Sequence, residues 1–247
     1  MAKIRLRAYL MRSGEFGKAH DAIVLAKFGK ILVNGKIVRN PEFSVKTKDK
    51  VEFIDKGQRK LLKLKPFTYI VFNKPAGFVC QKSKVESSIY ELIDQIREID
   101  FETRKTLFCV GRLDKDTEGL VIVTNDGRLS DRLMKPESHI TKTYLVKADM
   151  DLSQDDLIKL KGGVTIKSED GKHFVKALEA KLLGEKSTEL VIDEGKKRQV
   201  KLMFEAIGNK VVYLKRVGIG NLRLENLDFK GRNYIILERQ ELEKLLF

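Results

Sequence analysis

Cysteine, histidine and long apolar runs are all scarce in this 247-residue chain, and each scarcity narrows what the protein can be. Cys80 and Cys109 stand far apart with no Cys-x-x-Cys pair, which excludes a disulfide framework and points to two free thiols in a cytoplasmic protein. His20, His139 and His173 are scattered without ligand spacing, so no zinc site is expected. No apolar run approaches the roughly 20 residues that span a bilayer. The N-terminus is charged rather than apolar, so no signal peptide is expected. Internal repeats and low-complexity tracts are missing too. What is present is 42% hydrophobic residues, enough for a core and for more than one domain.

Positive charge is abundant and unevenly placed. The formal net charge is +14, yet residues 1–66 hold 17 Lys+Arg against 6 Asp+Glu, a net of +11. The other 181 residues hold 32 bases and 29 acids, a net of +3. A compact basic segment beside a nearly neutral one suggests a grip for a polyanion, with nucleic acid the expected partner. A membrane surface fits less well, because the segment has no long helix with one bulky apolar face.

The pattern along the chain is α+β. Residues 3–11 suggest a short helix. Residues 19–27 follow three-and-four apolar spacing and stop at Gly29. Ile31-Leu32-Val33 and Lys36-Ile37-Val38 flank Asn34-Gly35, a strong hairpin signal. Val45 and residues 51–53 add strands. A basic small module of two helices plus a sheet is therefore expected over residues 1–60, with 56–66 as a proline-closed linker. A second domain over 67–247 opens with a strand at 69–72 and the turn Asn73-Lys74-Pro75-Ala76-Gly77. Helices are expected at 88–98, 128–134, 155–161 and 199–206, and strands at 142–148, 174–182, 188–193, 211–217 and 233–237. Strands outnumber helices and many neighbours can pair antiparallel, which argues against a doubly wound parallel sheet.

The densest segment is 111–127, Gly-Arg-Leu-Asp-Lys-Asp-Thr-Glu-Gly-Leu-Val-Ile-Val-Thr-Asn-Asp-Gly. A charged loop bounded by glycines runs into a β-branched stretch that reads as a buried strand and ends in a turn. A loop braced by a buried strand is where a fold can fix a reactive side chain. Taken alone, Asp114 reads first as a loop acid that pairs with Lys115 or caps a turn, and second as a catalytic acid. Asp116 reads as solvated or loop-stabilising. The Thr117 hydroxyl is expected to bond the loop backbone.

Gly111-Arg112-Leu113-Asp114, Thr117, Gly119-Leu120 and Thr124-Asn125-Asp126-Gly127 resemble the signature of the RNA pseudouridine synthases. The resemblance is to the branch acting on small-subunit ribosomal RNA and large-subunit stem-loops. Three further pieces fit in order. Asn73–Gly77 resembles that branch's opening strand and turn, Lys142-Thr143-Tyr144-Leu145-Val146 its tyrosine motif, and residues 194–203 its third motif. Residues 3–53 resemble the small RNA-binding module that often precedes this catalytic domain. Arg7 and Gly17-Lys18 depart from that module's usual residues, and Lys201 stands where many relatives have arginine.

The resemblance implies a mainly antiparallel or mixed sheet with flanking helices and a cleft holding Asp114. It implies isomerisation of uridine to pseudouridine in ribosomal RNA, in the free RNA or a pre-ribosomal particle. The reaction detaches uracil and rejoins it through carbon-5 without redox change, so no cofactor and no metal are expected. Asp114 takes the role of carboxylate at the ribose, as nucleophile or base. Lys201 is the matching cation, which can keep a carboxylate charged where burial opposes it. Lys201 lies one turn from Arg198 and Lys197, so a cationic helix face is expected, with Arg198 on RNA. Tyr144 offers a face for the uracil and a phenol to move the carbon-5 proton, against the alternative of a packed core tyrosine. Arg112 fills the gap left by a flipped base or clamps a phosphate. Lys18, Lys27, Lys30 and Lys36 are candidate phosphate contacts on the basic module. No DNA or membrane partner and no oligomer are expected. A non-catalytic RNA-binding or ribosome-associated factor with the same fold is the alternative, and a glycosylase releasing free uracil is a further rival.

Overall fold

The structure is a computed structural model and describes residues 3–16, 19–46 and 48–247. By packing the chain forms two compact units. The first comprises Met1–Thr68, Ile93–Phe108 and Thr124–Gly127, and the second Tyr69–Leu92, Cys109–Val123 and Arg128–Phe247.

In the first unit, the expected helix over 3–11 is split. Lys3–Arg5 is a strand paired antiparallel with Ser44–Lys46, and the helix runs over Leu6–Ser13. The burial pattern explains the shift: Leu6, Tyr9, Leu10 and Ser13 are buried at spacings of three and four. They pack with Ala22 and Ala26 of the helix Ala19–Lys27 and with Ile31, Val33, Val45 and Val51. The hairpin forms as read. Ile31–Val33 pairs with Lys36–Ile37, and both Asn34 (φ 52°) and Gly35 (φ 79°) adopt the left-handed conformation of a type I′ turn. The expected linker is corrected in part. Gln58–Leu61 is a fourth strand on this sheet, turned back onto Val51–Asp55 through Lys56-Gly57, and Leu62 is buried in the core. All four strand residues are exposed, so this edge strand carries no alternating apolar signal. Residues 124–127 join the first unit because the Asn125 side chain binds the Thr68 amide, the Pro66 carbonyl and the Thr106 hydroxyl.

The second unit is built on a nine-stranded sheet. Its main path runs Glu179–Gly184, Ser187–Ile192, Lys142–Ala148, Val211–Ile219, Glu118–Thr124, Tyr69–Lys74 and Tyr234–Leu237. Lys142–Ala148 pairs antiparallel with both its neighbours, as do Glu179–Gly184 with Ser187–Ile192 and Tyr234–Leu237 with Tyr69–Lys74, while Val211–Ile219 runs parallel to Glu118–Thr124. Leu120, Val121, Ile122 and Val123 are all buried, as a central strand covered on both faces requires. Helices lie at Gly127–Met134, Gln154–Gly162 and Gln199–Ala206, close to expectation. The strand expected over 174–182 is two strands, Gly171–Val175 in a hairpin with Val164–Ser168 and Glu179–Gly184 on the main sheet. The helix expected over 88–98 covers only Ile89–Asp94.

One glycine fixes the junction beneath the charged loop. Gly119 has φ 106°, and a Cβ there would lie 2.1 Å from the Arg216 carbonyl oxygen. Only glycine lets the strands Glu118–Thr124 and Val211–Ile219 approach at this point.

Candidate active site

Asp114 stands in the loop between strands Phe108–Val110 and Glu118–Thr124. The loop is tied down from both sides. The Thr117 amide donates to the Asp114 carbonyl at 3.1 Å, the Gly77 amide to the Lys115 carbonyl at 2.7 Å, and the Leu113 amide to Cys80 Sγ at 3.3 Å. The Thr117 hydroxyl does not supply the expected backbone bond. It is buried with no hydrogen-bond partner among the described residues, so the stiffening comes from main-chain amides instead.

A residue missed in the sequence completes this clamp. Lys74, at the end of strand Tyr69–Lys74, is fully buried, and its ammonium donates to the carbonyls of Pro75 (2.9 Å), Phe78 (2.8 Å) and Lys115 (3.4 Å). Burial lowers its pKa, partly opposed by the neighbouring Cys80 thiol and acidic side chains. One ammonium thus pins the turn 75–78 to the loop that carries Asp114. Nothing in sequence marks a lysine as buried; the signal was its place at the end of an otherwise apolar strand.

Lys201 approaches Asp114 across 87 positions of sequence. Its Nζ lies 3.5 Å from Asp114 Oδ2 and 2.5 Å from Asp116 Oδ1. Only 8% of the Lys201 side chain is exposed, against 33% for Asp114 and 69% for Asp116. The shorter contact therefore belongs to the acid read as solvated. Asp116 faces two opposed effects: burial pushes its carboxyl up, while the hydrogen bond and charge of Lys201 pull it down and prevail. Lys201 is the third residue of the helix Gln199–Ala206. A cation there opposes the helix dipole, so the two carboxylates answer both the ammonium and the helix end.

The expected cationic helix face is corrected. Arg198 precedes the helix in a left-handed conformation (φ 56°), and Lys197 pairs with Glu169 at 2.8 Å. Neither residue shares a helical face with Lys201. Arg198 is nevertheless exposed and lines the same cavity as Asp114.

That cavity encloses about 480 Å³ and is walled by Asp114, Arg112, Tyr144, Arg198, Leu214 and Cys80, among others. Tyr144, on strand Lys142–Ala148, is buried apart from this opening, and Arg112 is exposed. Cys109 also reaches the cavity and shares a hydrogen bond with the Cys80 thiol, and both are free thiols. Lys27, Lys30 and Lys36 are exposed on the first unit, and Lys18 lies outside the described residues. Among the described residues, no group of three or more His, Cys, Asp or Glu side chains could hold a metal, and no helix is long and apolar enough to cross a membrane.

Asp114, Arg112 and Tyr144 thus wall one cavity, with the Lys201 ammonium beside Asp114. The family described as RNA pseudouridylate synthase matches residues 68–206. An uncharacterised RNA pseudouridine synthase of Aquifex aeolicus is 35% identical, with 98% of each chain covered. Ribosomal small subunit pseudouridine synthase A of Haemophilus influenzae is 34% identical over 87% of this chain and 88% of its own. A crystal structure of a pseudouridylate synthase superposes with a TM-score of 0.65 at 31% identity, covering 98% of this chain and 99% of the other. The chain belongs to the RNA pseudouridine synthase family.

Proposed function

We propose that the protein converts specific uridines of ribosomal RNA to pseudouridine, with Asp114 as the reacting carboxylate. The observation that carries this reading is the meeting of Asp114 and Lys201 at 3.5 Å beside a cavity that Tyr144 also lines. Ribosomal RNA as the substrate is supported by the relatedness to the small subunit enzyme of Haemophilus influenzae.

In this reading a target uridine is turned out of its stack and its base enters the cavity against Tyr144. Unstacking costs about a few kcal/mol. Arg112, exposed at the mouth, occupies the vacated space or grips a phosphate. Asp114 acts at the ribose as nucleophile or base. The bond from the ribose carbon to uracil nitrogen-1 breaks, the freed base turns, and a bond to carbon-5 forms. The carbon-5 proton leaves, with the Tyr144 phenol positioned to carry it, and nitrogen-1 takes up a proton, so atoms balance and no cofactor is required. The positioned carboxylate and base account for the acceleration. Residues 1–60 form an RNA-binding module and 67–247 the catalytic domain. The module's Lys18, Lys27, Lys30 and Lys36, with Arg198 at the cavity, supply salt-sensitive phosphate contacts. The enzyme works as a cytoplasmic monomer.

The test supplies ribosomal RNA tritiated at uridine carbon-5 to wild type and to Asp114→Ala. Release of tritium by wild type alone supports the synthase. Absence of release from every cellular ribosomal RNA favours a non-catalytic RNA-binding factor, and free uracil favours a glycosylase.

A further inference from the structure

A second cavity of about 400 Å³ shares Gly111, Arg112 and Tyr144 with the first. Its distinctive wall is Arg216, directly opposite Tyr144 in the pairing of strands Lys142–Ala148 and Val211–Ile219. Opposed residues of an antiparallel pair share a face and stand about 5 Å apart at Cβ. Arg216 is 5% exposed. Its Nε donates to the Leu120 carbonyl at 2.7 Å, but Nη2 is buried and has no hydrogen-bond partner among the described residues. A guanidinium has five donors, and leaving the two of Nη2 unmade in a buried place is unfavourable.

Lys142 lines the same cavity. It is half-buried, and its ammonium donates to the Asp193 carbonyl at 3.4 Å. Burial first and the Arg216 charge second lower its pKa, partly opposed by the charges of Asp193 and Glu194. The acids of this cavity act on Lys142 from a distance and have closer partners of their own. The Asp193 carboxylate meets His139 Nδ1 at 3.1 Å, while Glu194 accepts from Gln199 at 3.0 Å and lies 4.0 Å from Lys196. Two cations thus line one cavity beside Tyr144, one with an unused nitrogen, and among the described residues neither has a carboxylate within 4.0 Å.

We infer that Arg216 and Lys142 form a subsite for one phosphodiester of the RNA, adjacent to the nucleotide whose base stands against Tyr144. The inference rests on the proposed function and adds a binding element to it. A planar guanidinium and an ammonium suit a tetrahedral anion with several acceptor oxygens. The subsite lies one residue's breadth from the stacking face, so it would fix the backbone as the base turns. It would contribute to binding and register more than to the chemical step.

The test starts from transcribed host ribosomal RNA, with pseudouridine mapped by carbodiimide-dependent primer stops after incubation with wild type. A stem-loop containing the mapped uridine is then made with a single neutral methylphosphonate at each linkage up to two nucleotides either side. With wild type, one linkage should raise KM about tenfold, the scale of one charged hydrogen-bonded contact, and leave kcat within about twofold. Lys142→Met should show that loss on the native stem-loop and no further loss with that one neutral linkage. Its dependence of log KM on log salt should be shallower by about 0.7 to 0.9. Arg216→Lys, which keeps a cation, provides a second variant, and thermal melting of both variants controls for folding. If the variant and linkage losses multiply at every position, or if no linkage matters, the subsite is refuted while the wild-type reaction still supports the function. If wild type forms no pseudouridine in any transcript, the functional reading fails and the subsite falls with it.

Discussion

Two carboxylates compete for one lysine, and exchanging each for its amide separates their roles. Asp116 has the shorter contact, 2.5 Å against 3.5 Å for Asp114, so proximity to Lys201 alone would nominate Asp116. Exposure and the cavity argue the other way. Asp116 is 69% exposed and absent from the cavity wall, whereas Asp114 is one-third exposed and lines it. A solvent-screened ion pair contributes about 0–1 kcal/mol. Asp116→Asn should therefore lower Tm by less than about 4 °C at neutral pH. The sign with pH follows from its lowered carboxyl pKa. The contribution is present above the ordinary value of 3.8 and disappears as pH falls through the folded-state value, so wild type and Asp116→Asn should converge in acid. Turnover in the tritium-release assay should stay within about tenfold of wild type for Asp116→Asn. It should fall by at least about 10³-fold for Asp114→Asn, which removes the proposed reacting carboxylate with little change in shape. An Asp116→Asn enzyme that is dead while Asp114→Asn remains active would refute the assignment and transfer the chemistry to Asp116.

Three further outcomes follow from neighbouring residues. Lys74→Met strips the donor from three carbonyls around the Asp114 loop and should destabilise the protein by about 3 kcal/mol, a Tm loss of roughly 6–12 °C by calorimetry; an unchanged Tm would show that the clamp is dispensable. Tyr144→Phe keeps the ring and loses the phenol, so it should retain KM within about threefold while kcat collapses, whereas Tyr144→Ala should also weaken RNA binding by about 1–3 kcal/mol in a filter-binding titration; equal kcat for Phe and Tyr would remove the phenol from the proton transfer. Gly119→Ala places a Cβ 2.1 Å from the Arg216 carbonyl at φ 106° and should cost more than about 3 kcal/mol, or prevent folding, as judged by circular dichroism; a native melting curve would mean that the strands can separate at little cost.

Much of the fold was legible because local signals agreed with one another. The run Leu120–Val123 is apolar at every position and is a buried central strand. Asn34-Gly35 demands a type I′ turn and makes one. Elements escaped where burial leaves no periodic trace. Gln58–Leu61 is exposed at all four positions, and its pairing is set by the Lys56-Gly57 turn rather than by side chains. Phe101–Thr106 is too short for its apolar spacing to stand out, and it is held by Asp100 accepting from the Thr103 amide. The helix Arg239–Leu246 buries only Leu242 and Leu246 and begins with the reciprocal capping pair Glu238 and Glu241, an arrangement more usual with serine or threonine at the first position.

The site divides along the same line. Asp114, Tyr144 and Lys201 could be nominated because their motifs are contiguous in sequence. The residues that hold them could not, because their roles exist only after chain closure. Lys74 reads as the polar end of a strand until three carbonyls converge on it. Arg216 reads as one of many bases until strand pairing sets it opposite Tyr144 and against Gly119. Asp116 reads as solvent-facing, and by exposure it is, yet Lys201 arrives at the third position of a helix whose N-terminus already carries positive potential. The Asp-x-Asp spacing of the loop sets two acids on that one ammonium: Asp114 faces the cavity, and Asp116 makes the shorter, solvent-screened contact.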